Sequence, residues 1–295
     1  MDLTSNGYPL VNSTEQLGKL EPCAPKASID ELREQLKAQG YLWLRNFFPR
    51  EVVIALRQRY FERMKPTGIL ADNTDAGEGI FSGQRDQTGQ TTRLLMEFVR
   101  TAAYESFCFQ PKLWQFYEQM LGSDVYLHKR KIVRQSYPLD PKTTDAHYDL
   151  IYLRGGTDSV LSSWIPLGDV PLEMGGLTYL EGSDTFGRQM EADFAVRSAA
   201  FSPEERLNAY NKHMSATGGI GKDLSLLVNR YQTRWLVADY EAGDMVVHTS
   251  YMIHASTQNI SHDGRMRLST DIRYQRIRDE IDARWQQHWT LDDML

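Results

Sequence analysis

The chain has 295 residues, 41% apolar and 24% charged, with 33 Lys and Arg against 39 Asp and Glu for a net charge of −6. That is enough for one large domain with a sizeable core, and the acidic balance argues against broad attraction to nucleic acid or anionic membrane. No stretch approaches the roughly 18 uninterrupted apolar residues of a spanning helix, and residues 1–10 lack the basic-then-apolar order of a secretory signal. Two cysteines, Cys23 and Cys108, make neither a disulfide framework nor a thiolate metal site and suit a reducing cytoplasm. The expectation is a soluble cytoplasmic protein whose partner is a small molecule, with no nucleic acid, no membrane and an oligomeric state left open.

Residues 1–27 carry Gly, Pro, Ser and Asn with little periodicity and read as a poorly ordered arm or a surface wrap. A helix then opens at Ser28, where Ser28 and Glu31 form a capping box, and Gly40 supplies its left-handed stop. Tyr41 to Leu44 reads as a strand, and Val53, Leu56, Tyr60 and Phe61 have helical spacing over residues 50–64. Residues 65–92 are rich in Gly, Asp, Asn and Thr, and read as either a floppy insert or a lid. Pro111 to Leu121 is another amphipathic helix.

Beyond Asp124 the texture turns to short strands: 125–127, 131–133, 151–153, 160–161, 164–165 and 177–180, then 235–237, 245–247 and 267–274. Residues 188–234 interrupt them as an insertion, with a helix from Ser202 to about His213. This order predicts a mainly β fold with helical decoration (α+β), a double-sheet jelly roll with helices packed outside, in one domain over 28–295.

Of seven histidines, His147 stands out because Asp149 is two positions on, which in an extended segment puts both side chains on one face. An imidazole and a carboxylate side by side are two legs of a facial triad for ferrous iron. Gly243-Asp244 then turns into a strand, and His254 or its competitor His248 can supply the third leg. Arg265, with Arg267 as its rival, can fork onto a dicarboxylate whose other end chelates the metal.

Together these elements resemble the phytanoyl-CoA dioxygenase family of iron(II)- and 2-oxoglutarate-dependent oxygenases. The matching set is His147-x-Asp149, Trp164-Ile165-Pro166-Leu167, Gly175-Gly176-Leu177 running to Gly182-Ser183, and Gly243-Asp244 ahead of His254. Asn259 and Arg265 complete it, Arg265 lying eleven positions after His254. The resemblance implies a double-stranded β-helix core over roughly residues 28–275, with iron(II), 2-oxoglutarate and dioxygen as cofactor and co-substrates. It implies that His147, Asp149 and His254 ligate iron, that Arg265 and Ser256 hold the far carboxylate of 2-oxoglutarate, and that Trp164 lines its pocket. Lys129 and Lys131 fall on the strand that supplies polar co-substrate contacts in relatives.

Asp184 stands where the family has histidine, and the change is expected to touch a surface turn or the substrate side rather than iron. Related halogenases have a small residue where Asp149 stands, which argues against that chemistry. The implied reaction is hydroxylation of an aliphatic carbon with release of succinate and carbon dioxide. The alternatives are desaturation, cyclisation or epimerisation, or a non-catalytic module that binds 2-oxoglutarate. The 65–92 and 188–234 segments are expected to wall the substrate site, and Arg85, Arg188 and Lys222 are candidates to meet an anionic group there. Trp285, Trp289 and Leu295 are expected to fold back on the barrel or meet a partner.

Overall fold

A computed structural model describes residues 2–207 and 220–290. Two sheets face each other. The larger is assembled around β12 (Arg267–Arg276) and also contains β4 (Tyr41–Leu44), β5 (Val125–Leu127), β6 (Ile132–Ser136), β7 (Leu161–Pro166) and β10 (Met245–Thr249). Its order is β4-β10-β7-β12-β5, with β6 on the same side of β12 as β5. The smaller runs β11 (His254–Ser256), β8 (Leu177–Leu180), β9 (Trp235–Val237) and β3 (Leu17–Lys19).

Alternation decides what each face of the larger sheet does. Leu42, Met245, Val247, Ile165, Leu268, Ile272 and Tyr274 point outward into the core under the helices. Those helices are α1 (Ile29–Gln39), α2 (Arg50–Met64), α3 (Gln90–Phe98), α4 (Ala102–Cys108) and α5 (Pro111–Leu121). Tyr41, Trp43, Trp164 and Val246 point inward, where they meet Tyr179 and Leu236 of the smaller sheet. The inward face of β12 is polar: Arg267, Asp271 and Arg273 alternate with the apolar positions and are all buried. That interior carries the site.

The capping box at Ser28 and the left-handed Gly40 (φ 79°) bound α1 as the sequence predicts. Residues 1–27 take the second of the two forms expected for them, a surface wrap. Leu3–Ser5 (β1) and Tyr8–Leu10 (β2) form a hairpin, and β3 adds to the smaller sheet in parallel with β9. Residues 151–153 form a short helix, α6 (Leu150–Leu153), because the chain turns at Asp149 instead of continuing as a strand. Most of 65–92 is tied down: the buried Arg57 guanidinium donates to the carbonyls of Gly77 (2.6 Å), Glu78 (2.8 Å), Leu167 (3.1 Å) and Met266 (3.2 Å). A buried cation needs such acceptors, and the loop supplies two of the four, at Gly77 and Glu78.

Within 188–234, α7 (Ser183–Arg197) enters the insertion and α8 (Leu224–Tyr231) leaves it. The helix read from Ser202 is helical over 203–207; its continuation to His213, like Leu295, lies outside the described residues. Among the described residues no helix is long and apolar enough to cross a membrane.

Candidate metal centre

His147 extends the smaller sheet by one bridge. It exchanges both backbone bonds with His254, at 3.0 Å from its own N–H and 2.8 Å from that of His254. The two rings lie side by side with centroids 4.2 Å apart. Asp149 joins them from the turn into α6, so convergence comes from a strand-to-helix turn and not from alternation along one strand. His147 Nε2 and His254 Nε2 are each 3.9 Å from Asp149 Oδ1. One donor atom from each of the three lies within 4.8 Å of the others, and all three residues are buried.

The orientation of each group has a cause. His147 Nδ1 donates to the carbonyl of Asp145 (2.8 Å) and His254 Nδ1 to that of Met252 (2.9 Å), which leaves both Nε2 lone pairs facing inward. Burial lowers both imidazole pKa values, that of His254 well below its ordinary range, so both are neutral donors. Burial opposes the charge on Asp149. Arg273, with His248 and His254, overcomes it and holds the carboxyl well below the usual range. Arg273 Nε and Nη2 fork onto the two carboxylate oxygens at 3.2 and 3.0 Å, and the Ser162 hydroxyl donates to Oδ2. Two neutral imidazoles and one ionised carboxylate are the donor set that a ferrous ion takes with positions to spare.

His248 does not compete for the third leg. It stands behind Asp149, its Nε2 3.5 Å from Oδ2 and its Nδ1 sharing a 2.8 Å hydrogen bond with the Tyr179 hydroxyl.

From the cluster a narrow pocket runs between the sheets past Thr144, Trp164, Leu177 and Ser256 to Arg267. Arg267 is 3% exposed. It donates to the Gly175 carbonyl and, at 2.7 Å, to Ser136 Oγ, while its Nε has no partner. Burial lowers its pKa to about 10, which still leaves it cationic near neutrality. The neighbouring arginines have carboxylates, the buried Arg273 on Asp149 and the half-buried Arg134 on Asp271 (2.5 Å). Among the described residues Arg267 has only neutral acceptors, the state of a cation awaiting an anion.

Ser256 and Trp164 are therefore in the pocket as expected. Ser256 Oγ accepts from the Thr144 N–H at 3.0 Å, and Trp164 is buried against Tyr240. Arg265 is not there. Its guanidinium lies on the surface, paired with Asp263 at 2.6 Å, because the strand begins only at Arg267 and Arg265 belongs to the preceding turn. Its rival Arg267 takes the inward position. Lys129 and Lys131 are also elsewhere. The backbone leaves strand geometry between β5 and β6, so the expected alternation fails. Lys129 is exposed, Lys131 is buried on Glu105, and Ile132 and Arg134 face inward instead. Asp184 is held between Thr249 and Arg188 (2.6 Å), outside the pocket walls.

On the other side of His147 and Asp149 a cavity of about 340 Å³ opens. Ile132, Tyr152, Trp285 and Trp289 give it apolar walls, and Arg130, Lys142 and Lys222 bring positive charge. Trp285 and Trp289 thus fold back on the barrel. Of the three cations considered from sequence only Lys222 reaches this cavity; Arg188 and Arg85 are engaged with Asp184 and Asp140.

This arrangement matches what comparison with known proteins finds. The sequence profile described as phytanoyl-CoA dioxygenase (PhyH) fits residues 36–267. The chain belongs to that family. It is accordingly an oxidoreductase with iron(II) and 2-oxoglutarate as its cofactor and co-substrate, acting with dioxygen on a small molecule. A relative, 1-deoxypentalenic acid 11-beta-hydroxylase of Streptomyces exfoliatus, is 24% identical over 278 residues, covering 89% of this chain and 87% of the relative.

The jelly-roll fold is shared with two solved structures. The non-heme alpha ketoglutarate dependent carbocyclase SnoK from nogalamycin biosynthesis is 17% identical, with TM-score 0.54 and coverage of 89% of both chains. EctD from S. alaskensis, solved with 2-oxoglutarate and 5-hydroxyectoine, is 13% identical, with TM-score 0.54 and coverage of 93% of this chain and 83% of that one.

Proposed function

We propose that this oxygenase hydroxylates an aliphatic carbon of a small acid bearing an apolar body. The observation that carries the reading is the placement of His147 and Asp149 on the floor of one cavity, with Arg267, a buried cation that has no carboxylate among the described residues, in a separate pocket on the other side. His147, Asp149 and His254 would hold the iron, and Arg267 would fork onto the far carboxylate of 2-oxoglutarate, with Ser256 and Trp164 beside it. When bound, the iron and 2-oxoglutarate would activate dioxygen, the oxidant, for removal of hydrogen from carbon.

The chain's own residues do the rest. Ile132, Tyr152, Trp285 and Trp289 orient an apolar body and exclude water, while Lys142 and Lys222 at the rim suit an acid group. The relative's substrate is itself named as an acid. Of the 65–92 segment, we assign the lid role to residues beyond Ser82. Arg85, Gly89 and Thr92 wall the outer groove that reaches Ser256 and Arg267. The buried, free Cys23 and Cys108 agree with a cytoplasmic setting.

The test is succinate formation from 2-oxoglutarate with ferrous iron, over a panel of small apolar acids and their methyl esters, with His147→Ala as control. Acids should be preferred, and the product should carry one added oxygen atom. A product short of two hydrogens, or an isomer, would replace hydroxylation by desaturation, cyclisation or epimerisation. No succinate with or without any substrate would leave a binding module.

A further inference from the structure

The β1–β2 hairpin lies ahead of the residues the family profile covers, yet it grips both histidine-bearing segments. Asn6 and Gly7 form its two-residue turn with φ of 51° and 81°, the left-handed pair such hairpins require. Asn6 Nδ2 donates to Asp145 Oδ1 at 2.9 Å, and its Oδ1 accepts from the Thr143 N–H at 3.1 Å. The Asn6 N–H returns a bond to Thr143 Oγ1 at 3.1 Å. On the other flank Ser5 Oγ donates to the Ser256 carbonyl at 3.0 Å, and the Gln258 N–H donates to the Thr4 carbonyl at 2.8 Å. Leu3 and Leu10 are buried in the same cluster as Ala146, Tyr148, Ile253 and Ala255, the neighbours of His147 and His254.

Asp145 is the link to the ligand. Asn6 holds its side chain, and its carbonyl accepts from His147 Nδ1. We propose that the hairpin is a positioning device for the metal centre, in which Asn6 acts through Asp145 to fix the rotation of the His147 ring. The proposal rests on the iron-site reading above. A carbonyl that holds a ligating imidazole is worth about 10–100-fold in metal affinity where such partners have been removed. Here that partner is itself oriented by a residue far away in sequence.

Two substitutions separate this role from mere folding. Glycine adopts a φ of 51° without strain, so Asn6→Gly keeps the turn and deletes both side-chain bonds. Asn6→Asp keeps the bond from Thr143 but sets a carboxylate against Asp145. The readout is the dissociation constant of cobalt(II) for the metal-free full-length protein, by equilibrium dialysis, alongside Tm without metal. The expected result is affinity weakened about tenfold in both variants, with Tm falling little in Asn6→Gly. Affinity within about twofold of the unsubstituted protein in both would overturn the proposal, whatever happens to Tm. Should Asn6→Gly unfold, Asp145→Ala, which removes the carboxylate that Asn6 holds and keeps the carbonyl that holds His147, must show the same loss. Failure of the unsubstituted protein to bind cobalt(II), or binding that His147→Ala leaves intact, would sink the iron-site reading and the hairpin's role with it. The ratio between variant and parent tests the hairpin alone.

Discussion

Arg273 meets Asp149 as a two-pronged ion pair, both partners at most 5% exposed, and the same guanidinium lies over the Trp285 ring with its carbon 4.7 Å from the centroid. The metal-side carboxylate is therefore pre-aimed by a cation that also forms part of the cavity wall. Removing that cation leaves a buried charge unpaired, which typically costs about 3 kcal/mol or more. In Arg273→Met the metal-free protein should melt lower. Saturating cobalt(II), by neutralising Asp149, should raise Tm by more than it does in the parent. Equal metal-induced shifts, read by differential scanning calorimetry, would contradict this.

Arg267 and Arg265 make a paired test. Loss of a buried fork to a carboxylate costs about 2 kcal/mol or more, roughly thirtyfold in KM. Arg267→Ala should raise the KM for 2-oxoglutarate by at least that factor, and Arg265→Ala should leave it near the parent value. The opposite ranking would restore Arg265 to the site.

Gly175 sits at φ 75°, and an added Cβ would lie 2.4 Å from the Thr257 carbonyl oxygen. Its own carbonyl accepts from Arg267. Gly175→Ala combines left-handed strain with a backbone clash, and should destabilise by about 2 kcal/mol or more. Any folded fraction should bind 2-oxoglutarate more weakly, because the carbonyl that holds Arg267 has moved. Urea unfolding and a 2-oxoglutarate titration check the two halves separately.

His128 gives a pH dependence away from the metal. It is buried and hydrogen-bonded to Gln275 at 2.8 Å, and burial lowers its pKa from 6.5 to about 4. Its folded pKa is depressed, so between 6.5 and about 4 the unfolded chain takes up a proton that the folded one does not. Stability should fall as pH drops through that window, by about 3 kcal/mol from this group. His128→Gln should flatten that limb of a denaturation-against-pH series; an unchanged slope would assign it to other groups.

Much of this was readable along the chain because the signals are local. Ser28, Glu31 and Gly40 bound a helix by cap chemistry that depends on near neighbours alone. His147, Asp149 and His254 were legible because few other residue sets offer that donor chemistry. Between the rivals Arg265 and Arg267, the inward position falls to Arg267 because register depends on where the strand starts, and spacing from His254 does not reveal that. Yet β12 held the signal: Arg267, Asp271 and Arg273 fall on one face of a strand whose other face is Leu268, Ile272 and Tyr274, the mark of a polar interior. The Lys129 and Lys131 assignment failed when the backbone broke its alternation between β5 and β6. The hairpin's hold on Thr143, Asp145 and Ser256 joins segments more than a hundred residues apart, and no local pattern encodes it.

The reciprocal amide bonds between His147 and His254 have a chemical consequence. The bite between the two imidazoles is inherited from the spacing of a peptide ladder, so it exists before any ion arrives and cannot tighten much around a particular one. Three protein donors that leave positions open do not enforce one ion's full geometry, so the site ranks first-row divalent ions by intrinsic affinity. Nickel should therefore displace ferrous iron without unfolding the barrel, and poison turnover while leaving the far-ultraviolet circular dichroism unchanged.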